Sequence, residues 1–228
     1  MLRRLVLFDV DGTLVRAGPV GSAVFDTALE AVLGRTPERQ VKMSGKTDPQ
    51  IALEYLELMH ADPACLPEVM AHLEKGLAAA ADQLVRHGTA LPGSRELLRL
   101  LHADNNVVAS VLTGNIAPNA AVKLAAFDLD RWLDLEVGAY GSDDADRRVL
   151  VPVALGRVAE RHGVELEPED VWVVGDTPRD LECARAGGAR CALVATGRYS
   201  RDELEGLGAD VVLSSLAPAG RTAALLTA

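Results

Sequence analysis

Asp9 and Asp11 stand two positions apart, directly after the apolar residues 5–8 and before Gly12 and Thr13. A short apolar run that stops at an acid reads as a buried parallel strand. Residues i and i+2 of an extended chain project to one side, so both carboxylates leave the carboxyl end of that strand together. Open α/β sheets hold their ligands at this edge. Two neighbouring carboxylates repel, and a divalent cation or a shared proton is what holds such a pair. Three further segments carry polar groups: Thr113-Gly114-Asn115 and Gly175-Asp176-Thr177-Pro178-Arg179-Asp180, each behind an apolar run, and Arg147-Arg148, two positive charges leading into a helix. Brought to one edge, they offer carboxylates for a metal, a hydroxyl and amides for anionic oxygens, and a facing cation. That set suits phosphoryl transfer, where catalysis is largely positioning and charge neutralisation.

The elements needed to position them are legible as a pattern. Strands are expected at 5–8, 107–112, 135–137, 171–174, 192–194 and 210–213, with helical periodicity at 94–102, 150–162 and 180–186. Strands alternating with helices predict a doubly wound parallel sheet. Between about 18 and 88 the alternation fails, and helical stretches at 23–33, 49–59 and 67–87 replace it, the last rich in alanine. An all-helical segment cannot pair into the sheet, so it is expected to sit above the carboxyl edge as a cap. The division expected is a core of residues 1–16 and 89–228 and a helical cap of 17–88.

Composition narrows the partners. The 228 residues carry a formal charge of −10, which argues against a nucleic-acid partner. A small anionic substrate needs only local positive charge. The three cysteines are widely spaced and form no CxxC pair, so buried thiols in a reducing compartment are expected rather than a zinc site or disulfides. The five histidines show no ligand spacing. The apolar run after Arg3 and Arg4 ends too soon for a cleavable signal, and no stretch has the length of a membrane span. The expectation is a cytoplasmic protein without a membrane partner, monomeric or homodimeric.

Asp-x-Asp-Gly-Thr, the strand-end threonine, the basic residue and Gly-Asp-x-x-x-Asp occur here in the order of the haloacid dehalogenase (HAD) superfamily, and the chain resembles its phosphatases of the phosphoglycolate phosphatase-like type. The resemblance implies a Rossmann-like core with an inserted helical cap. It implies a Mg²⁺-dependent phosphatase that hydrolyses a small phosphorylated metabolite through an aspartyl-phosphate. Asp9 would be the nucleophile, and Asp11 the acid and then the base. Thr113 would hold a phosphoryl oxygen and Arg147 would balance its charge. Asp9, the Asp11 carbonyl and Asp176 would hold Mg²⁺, with Asp180 behind them or reaching the metal through water. Gly12, Thr13, Gly114, Asn115 and, from the cap, Lys46 would surround the substrate. A phosphomutase, a haloacid dehalogenase or a catalytically dead regulatory module are the alternatives. Asp11 and Asp176 argue against the dehalogenase, and the absence of a histidine before His60 argues against the mutase.

The chain departs from the family pattern in two places. The basic residue, more often lysine, is one of two arginines, and Arg148 competes with Arg147 for the role. The segment after Thr13 lacks the acid-serine pair of many relatives. Several residues also have plainer readings. Asp48 either serves a substrate-facing loop with Lys46 or caps the helix that follows, and Asp180 is read as a helix N-cap, a support behind the metal, or both. Asn115 either supports the phosphate loop or closes a turn. Lys123 is expected to be solvated or salt-bridged, and Arg198 to lie on a surface loop. Gly45-Lys46-Thr47 lacks the upstream glycine of a nucleotide P-loop, and Asp9-Val10-Asp11-Gly12 lacks the glycine position of an EF-hand.

Overall fold

The computed structural model describes residues 2–228. Its elements are β1 (Arg4–Phe8), β2 (Val15–Arg16), α1 (Val20–Leu33), α2 (Asp48–Leu58), α3 (Leu66–Ala79), α4 (Ala81–His87), β3 (Thr89–Ala90), α5 (Ser94–His102), β4 (Val107–Thr113), α6 (Ala117–Ala125), β5 (Ala139–Tyr140), α7 (Leu150–His162), β6 (Val171–Gly175), α8 (Pro178–Ala186), β7 (Arg190–Val194), α9 (Arg201–Glu205), β8 (Val211–Leu213) and α10 (Ala219–Thr227).

Six strands form one sheet in the order β5-β4-β1-β6-β7-β8, and each neighbouring pair runs parallel. Strand β1 is buried on both faces. Val6 and Phe8 join Val111, Val174 and Ala192 in one apolar cluster, while Leu5 and Leu7 join Val151, Val173 and Cys191 in the other. With no solvated face to show, β1 reads as an unbroken apolar run. The fold is Rossmann-like α/β. Register sets the site: Phe8 pairs with Val111 on one side and Val174 on the other, so the residues just beyond β1, β4 and β6 emerge at one edge.

Helices α1–α4 surround an apolar cluster of their own that includes Phe25, Leu29, Tyr55, Leu56, Leu73 and Leu77. From the sheet side, α6 reaches this cluster through half-buried Val122 and Ala126. The chain passes from β1 to these helices through β2 and returns through β3. The two pair antiparallel, Val15 opposite Ala90 and Arg16 opposite Thr89.

Two elements differ from the sequence pattern. Residues Leu135–Val137, expected as a strand, form a 3₁₀ turn in which the Asp134 carboxylate accepts from the Glu136 N–H at 3.3 Å. The strand lies just beyond it at Ala139–Tyr140, with Ala139 opposite Leu112. The helix expected over 67–87 is broken at Ala80, whose backbone leaves helical geometry (φ −93°, ψ 9°) and turns the chain toward β3. Among the described residues, no helix is long and apolar enough to cross a membrane.

Candidate active site

Asp9 caps the end of β1, where its N–H donates to the Val174 carbonyl at 2.8 Å. The chain then turns sharply. Gly12 takes φ +86°, and a Cβ there would lie 2.5 Å from an Asp176 carboxylate oxygen. A side chain is therefore excluded at Gly12 by both conformation and contact. Thr13, fully buried, points its hydroxyl back at Asp176 Oδ1 at 3.4 Å. This is the single hydrogen bond that Asp176 receives among the described residues.

Asp9, Asp176 and Asp180 each offer a carboxylate oxygen, and the three oxygens lie within 4.8 Å of one another. Burial pushes Asp9 up to about 6, with Arg147 opposing it and Asp180 and Asp11 adding to it. Burial pushes Asp176 up to about 8, reinforced by Asp180 and Asp9. Asp180 is better satisfied. One oxygen accepts from the Thr177 N–H (2.9 Å) and hydroxyl (2.7 Å), which closes the capping box of α8, and the other is paired with Arg147. Arg147 is 6% exposed, and its Nη2 also lies 3.3 Å from Asp9 Oδ1 and 3.2 Å from the Leu112 carbonyl. Burial alone would lower its pKa, but Asp180 and Asp9 outweigh burial and the net shift is upward. Neighbouring Arg148 is exposed and pairs with Asp146, so of the two arginines it is Arg147 that the 3₁₀ turn Arg147–Val149 directs inward.

Around Asp11 a second polar group forms. The Asn115 side-chain amide donates to Asp11 Oδ2 and to Thr113 Oγ1, both at 2.8 Å. Lys123 Nζ donates to Asp11 Oδ2 and to Asn115 Oδ1, both at 2.6 Å. The sequence pattern predicts a solvated or ion-paired Lys123. The residue is ion-paired, but it is buried at the site. The available signal was its place on α6 one turn after buried Asn119, two polar residues on a face that otherwise packs apolar groups.

The loop before α2 closes over this edge. The Asp48 N–H donates to the Gly114 carbonyl at 2.7 Å, and the Ile116 N–H donates to Asp48 Oδ2 at 2.9 Å. Thr47, not Asp48, caps α2 by accepting from the Gln50 N–H. A Cβ on Gly114 would sit 2.0 Å from the Lys46 carbonyl, so only glycine fits beneath the loop. Burial pushes Asp48 up to about 6 against the pull of Lys123 and the Ile116 N–H. The Lys46 ammonium, expected at the substrate, is paired with Glu54.

Asp9, Asp11, Gly12, Lys46, Thr113, Gly114, Asn115, Lys123, Arg147 and Asp176 line one cavity of about 500 Å³. Thr13 and Asp180 stand behind its wall. Arg16 and Arg198, outside the sequence-derived set, line the same cavity.

The chain and its fold have counterparts among known proteins. Residues 6–185 match the haloacid dehalogenase-like hydrolase family. The phosphoglycolate phosphatase of Rhodospirillum rubrum is 30% identical over 222 residues, covering 95% of this chain and 89% of that protein. Phosphoglycolate phosphatase 1 of Pseudomonas aeruginosa is 31% identical, covering 86% of this chain and 71% of that protein. Among solved structures, CbbY from Rhodobacter sphaeroides in complex with phosphate superposes with a TM-score of 0.72 at 23% identity, covering 96% of this chain and 97% of that one. The sequence resemblance and the fold thus agree, and the chain belongs to the haloacid dehalogenase-like hydrolases, among their phosphatases.

Proposed function

We propose that this chain is a Mg²⁺-dependent phosphatase that hydrolyses a small-molecule phosphomonoester through an aspartyl-phosphate on Asp9. The observation that carries this reading is the unequal setting of the two acids. Asp9 is buried beside Arg147, Asp176 and Asp180, whereas the Asp11 side chain is 41% exposed and held on the cavity side by Asn115 and Lys123. This asymmetry supports a reading in which one acid serves phosphorus and the other a proton.

In the first step an Asp9 oxygen forms a bond to phosphorus as the ester P–O bond breaks, and Asp11 gives its proton to the departing oxygen. In the second step Asp11 takes a proton from water. The water oxygen bonds to phosphorus, and the Asp9–phosphorus link breaks to restore the carboxylate. The Thr113 hydroxyl and Arg147 hold the phosphoryl oxygens.

The donor set fits a hard divalent cation. Asp9 and Asp176 are buried and short of hydrogen bonds for two carboxylates, and both are raised first by burial and then by the charge of Asp180. Asp9, Asp176 and the Asp11 backbone carbonyl would hold Mg²⁺, with Asp180 fixing Arg147 and the α8 loop behind them. The bound cation supplies positive charge against the carboxylates and the phosphate.

Metal binding has a stability signature. In the metal-free protein both carboxylates sit above the ordinary value of 3.8, Asp9 at about 6 and Asp176 at about 8. The folded chain therefore binds these protons more tightly than the unfolded chain. Their contribution is complete below the ordinary value and is lost as pH rises through the two raised values. We expect Tm in EDTA to fall between about pH 5 and about pH 8. Mg²⁺ at one fixed concentration, about a hundredfold above its Kd at about pH 8, should restore about 2.7 kcal/mol there and less at about pH 5, where protons compete for the same oxygens. An equal Mg²⁺ response at both pH values would argue against these carboxylates as ligands.

The helices of residues 17–88 act in this reading as the cap domain that meets the leaving group. Arg16 and Arg198 at the cavity suit an acidic one, and the relatives' names make 2-phosphoglycolate the first substrate to assay. The test is phosphate release from a panel of phosphomonoesters with Mg²⁺ or with EDTA, alongside chloride release from 2-chloropropionate. Mg²⁺-dependent phosphate release is expected. Metal-independent dehalogenation with no phosphatase activity would overturn the proposal.

A further inference from the structure

Lys123 is 7% exposed and carries a charge that is costly to bury unpaired. Its Nζ has three donors. One goes to Asp11 Oδ2 and one to Asn115 Oδ1, each at 2.6 Å. Asn115 in turn donates to the same Asp11 oxygen at 2.8 Å. Both contacts on the Asp11 carboxylate thus fall on Oδ2, and Oδ1 accepts no hydrogen bond among the described residues. The charged groups facing Lys123 are Asp11 and Asp9 after β1 and Asp48 on α2. Burial opposes the ammonium charge, but these carboxylates outweigh burial and keep Lys123 cationic. From α3, Leu73 and Leu77 line the same small cavity and add no competing charge.

We propose that Lys123 is a positioning residue for proton transfer: with Asn115 it pins one oxygen of Asp11, so that the other, Oδ1, faces the leaving group. The inference rests on the phosphatase reading above. In the step concerned, the Oδ1 proton passes to the ester oxygen while the P–O bond breaks and an Asp9 oxygen bonds to phosphorus. A carboxyl group free to rotate would present that proton in a fraction of encounters. A pinned one presents it in all of them.

The consequence is a dependence on leaving group. 2,4-Dinitrophenolate departs without a proton, whereas phenolate is a poor leaving group that gains from one. We expect Lys123→Met to lower kcat/KM for phenyl phosphate by about tenfold or more beyond its loss for 2,4-dinitrophenyl phosphate. Lys123→Arg, which keeps the charge, should recover part of the phenyl phosphate loss. In an Asp11→Asn background, Lys123→Met should add no further discrimination between the two esters. Lys123→Gln is read in the same way should the methionine variant fail to fold. Equal losses on both esters, or an undiminished effect without Asp11, would assign Lys123 to packing or substrate binding and overturn the inference. A wild-type protein inactive on both esters would instead overturn the phosphatase reading, and this inference with it.

Discussion

Asp9→Asn should lower kcat for phosphomonoester hydrolysis by about 10⁴-fold or more, on the order of 5 kcal/mol of lost transition-state stabilisation. In the proposed mechanism the Asp9 carboxylate bonds to phosphorus, which an amide cannot do and no neighbour can do in its place. Asp176 and Asp180 lie in the same cluster, but Asp180 is engaged on both oxygens by Thr177 and Arg147. Folding should not suffer. The asparagine carbonyl can still face Arg147, and one of three mutually repelling buried acids becomes neutral. The Tm of the metal-free variant should match or exceed that of wild type, while its response to Mg²⁺ shrinks. Steady-state assays with a thermal melt check both halves. Activity within a hundredfold of wild type would remove Asp9 from the nucleophile's role.

Arg147→Met should cost about 3–5 kcal/mol of stability, the usual result when one partner of a buried ion pair is removed. Asp180 is fully buried, so its carboxylate cannot find water in place of the guanidinium, and Asp9, 4% exposed at the cavity wall, can find little. For a chain of this size the loss corresponds to a Tm lower by roughly 6–20 °C, and turnover falls with it because the phosphoryl charge loses its partner. Arg147→Lys should recover part of the stability but less of the activity. A lysine restores the charge without the forked reach to Asp180, Asp9 and the Leu112 carbonyl. Thermal denaturation of the two variants separates these effects. A methionine variant as stable as wild type would mean that the carboxylates bind protons in place of the arginine.

The central parts of this arrangement are legible in the sequence because buried strands leave plain marks. The apolar run 5–8 and its abrupt end at Asp9 mark both the strand and the edge that holds the candidate site, and Val173-Val174 before Gly175-Asp176 repeats the signal. Other features depend on geometry the pattern does not encode. Arg147 and Arg148 are neighbours of one residue type, and only the 3₁₀ turn sends one inward and the other to solvent. Alanine suits a helix interior and a helix end alike, so nothing in the alanine-rich segment marks the break at Ala80. Lys123 looks like a surface lysine until α6 is packed between the sheet and α3. Asp48 precedes a helix and invites reading as a cap, yet Thr47 takes that role and Asp48 reaches the start of α6.

The short ribbon of β2 and β3 bears on how such a protein can diversify. Both crossings between the sheet and helices α1–α4 run through it side by side, about 5 Å apart as paired strands are. Seen from the sheet, some seventy residues are one long loop with adjoining ends, the kind of site where inserted segments are tolerated. Drift or recombination in that loop can reshape the cavity wall that Met43, Lys46 and Asp48 supply while β1, β4 and β6 and the acids behind them stay as they are. New substrate preferences are thus open to the lineage without reinvention of its chemistry.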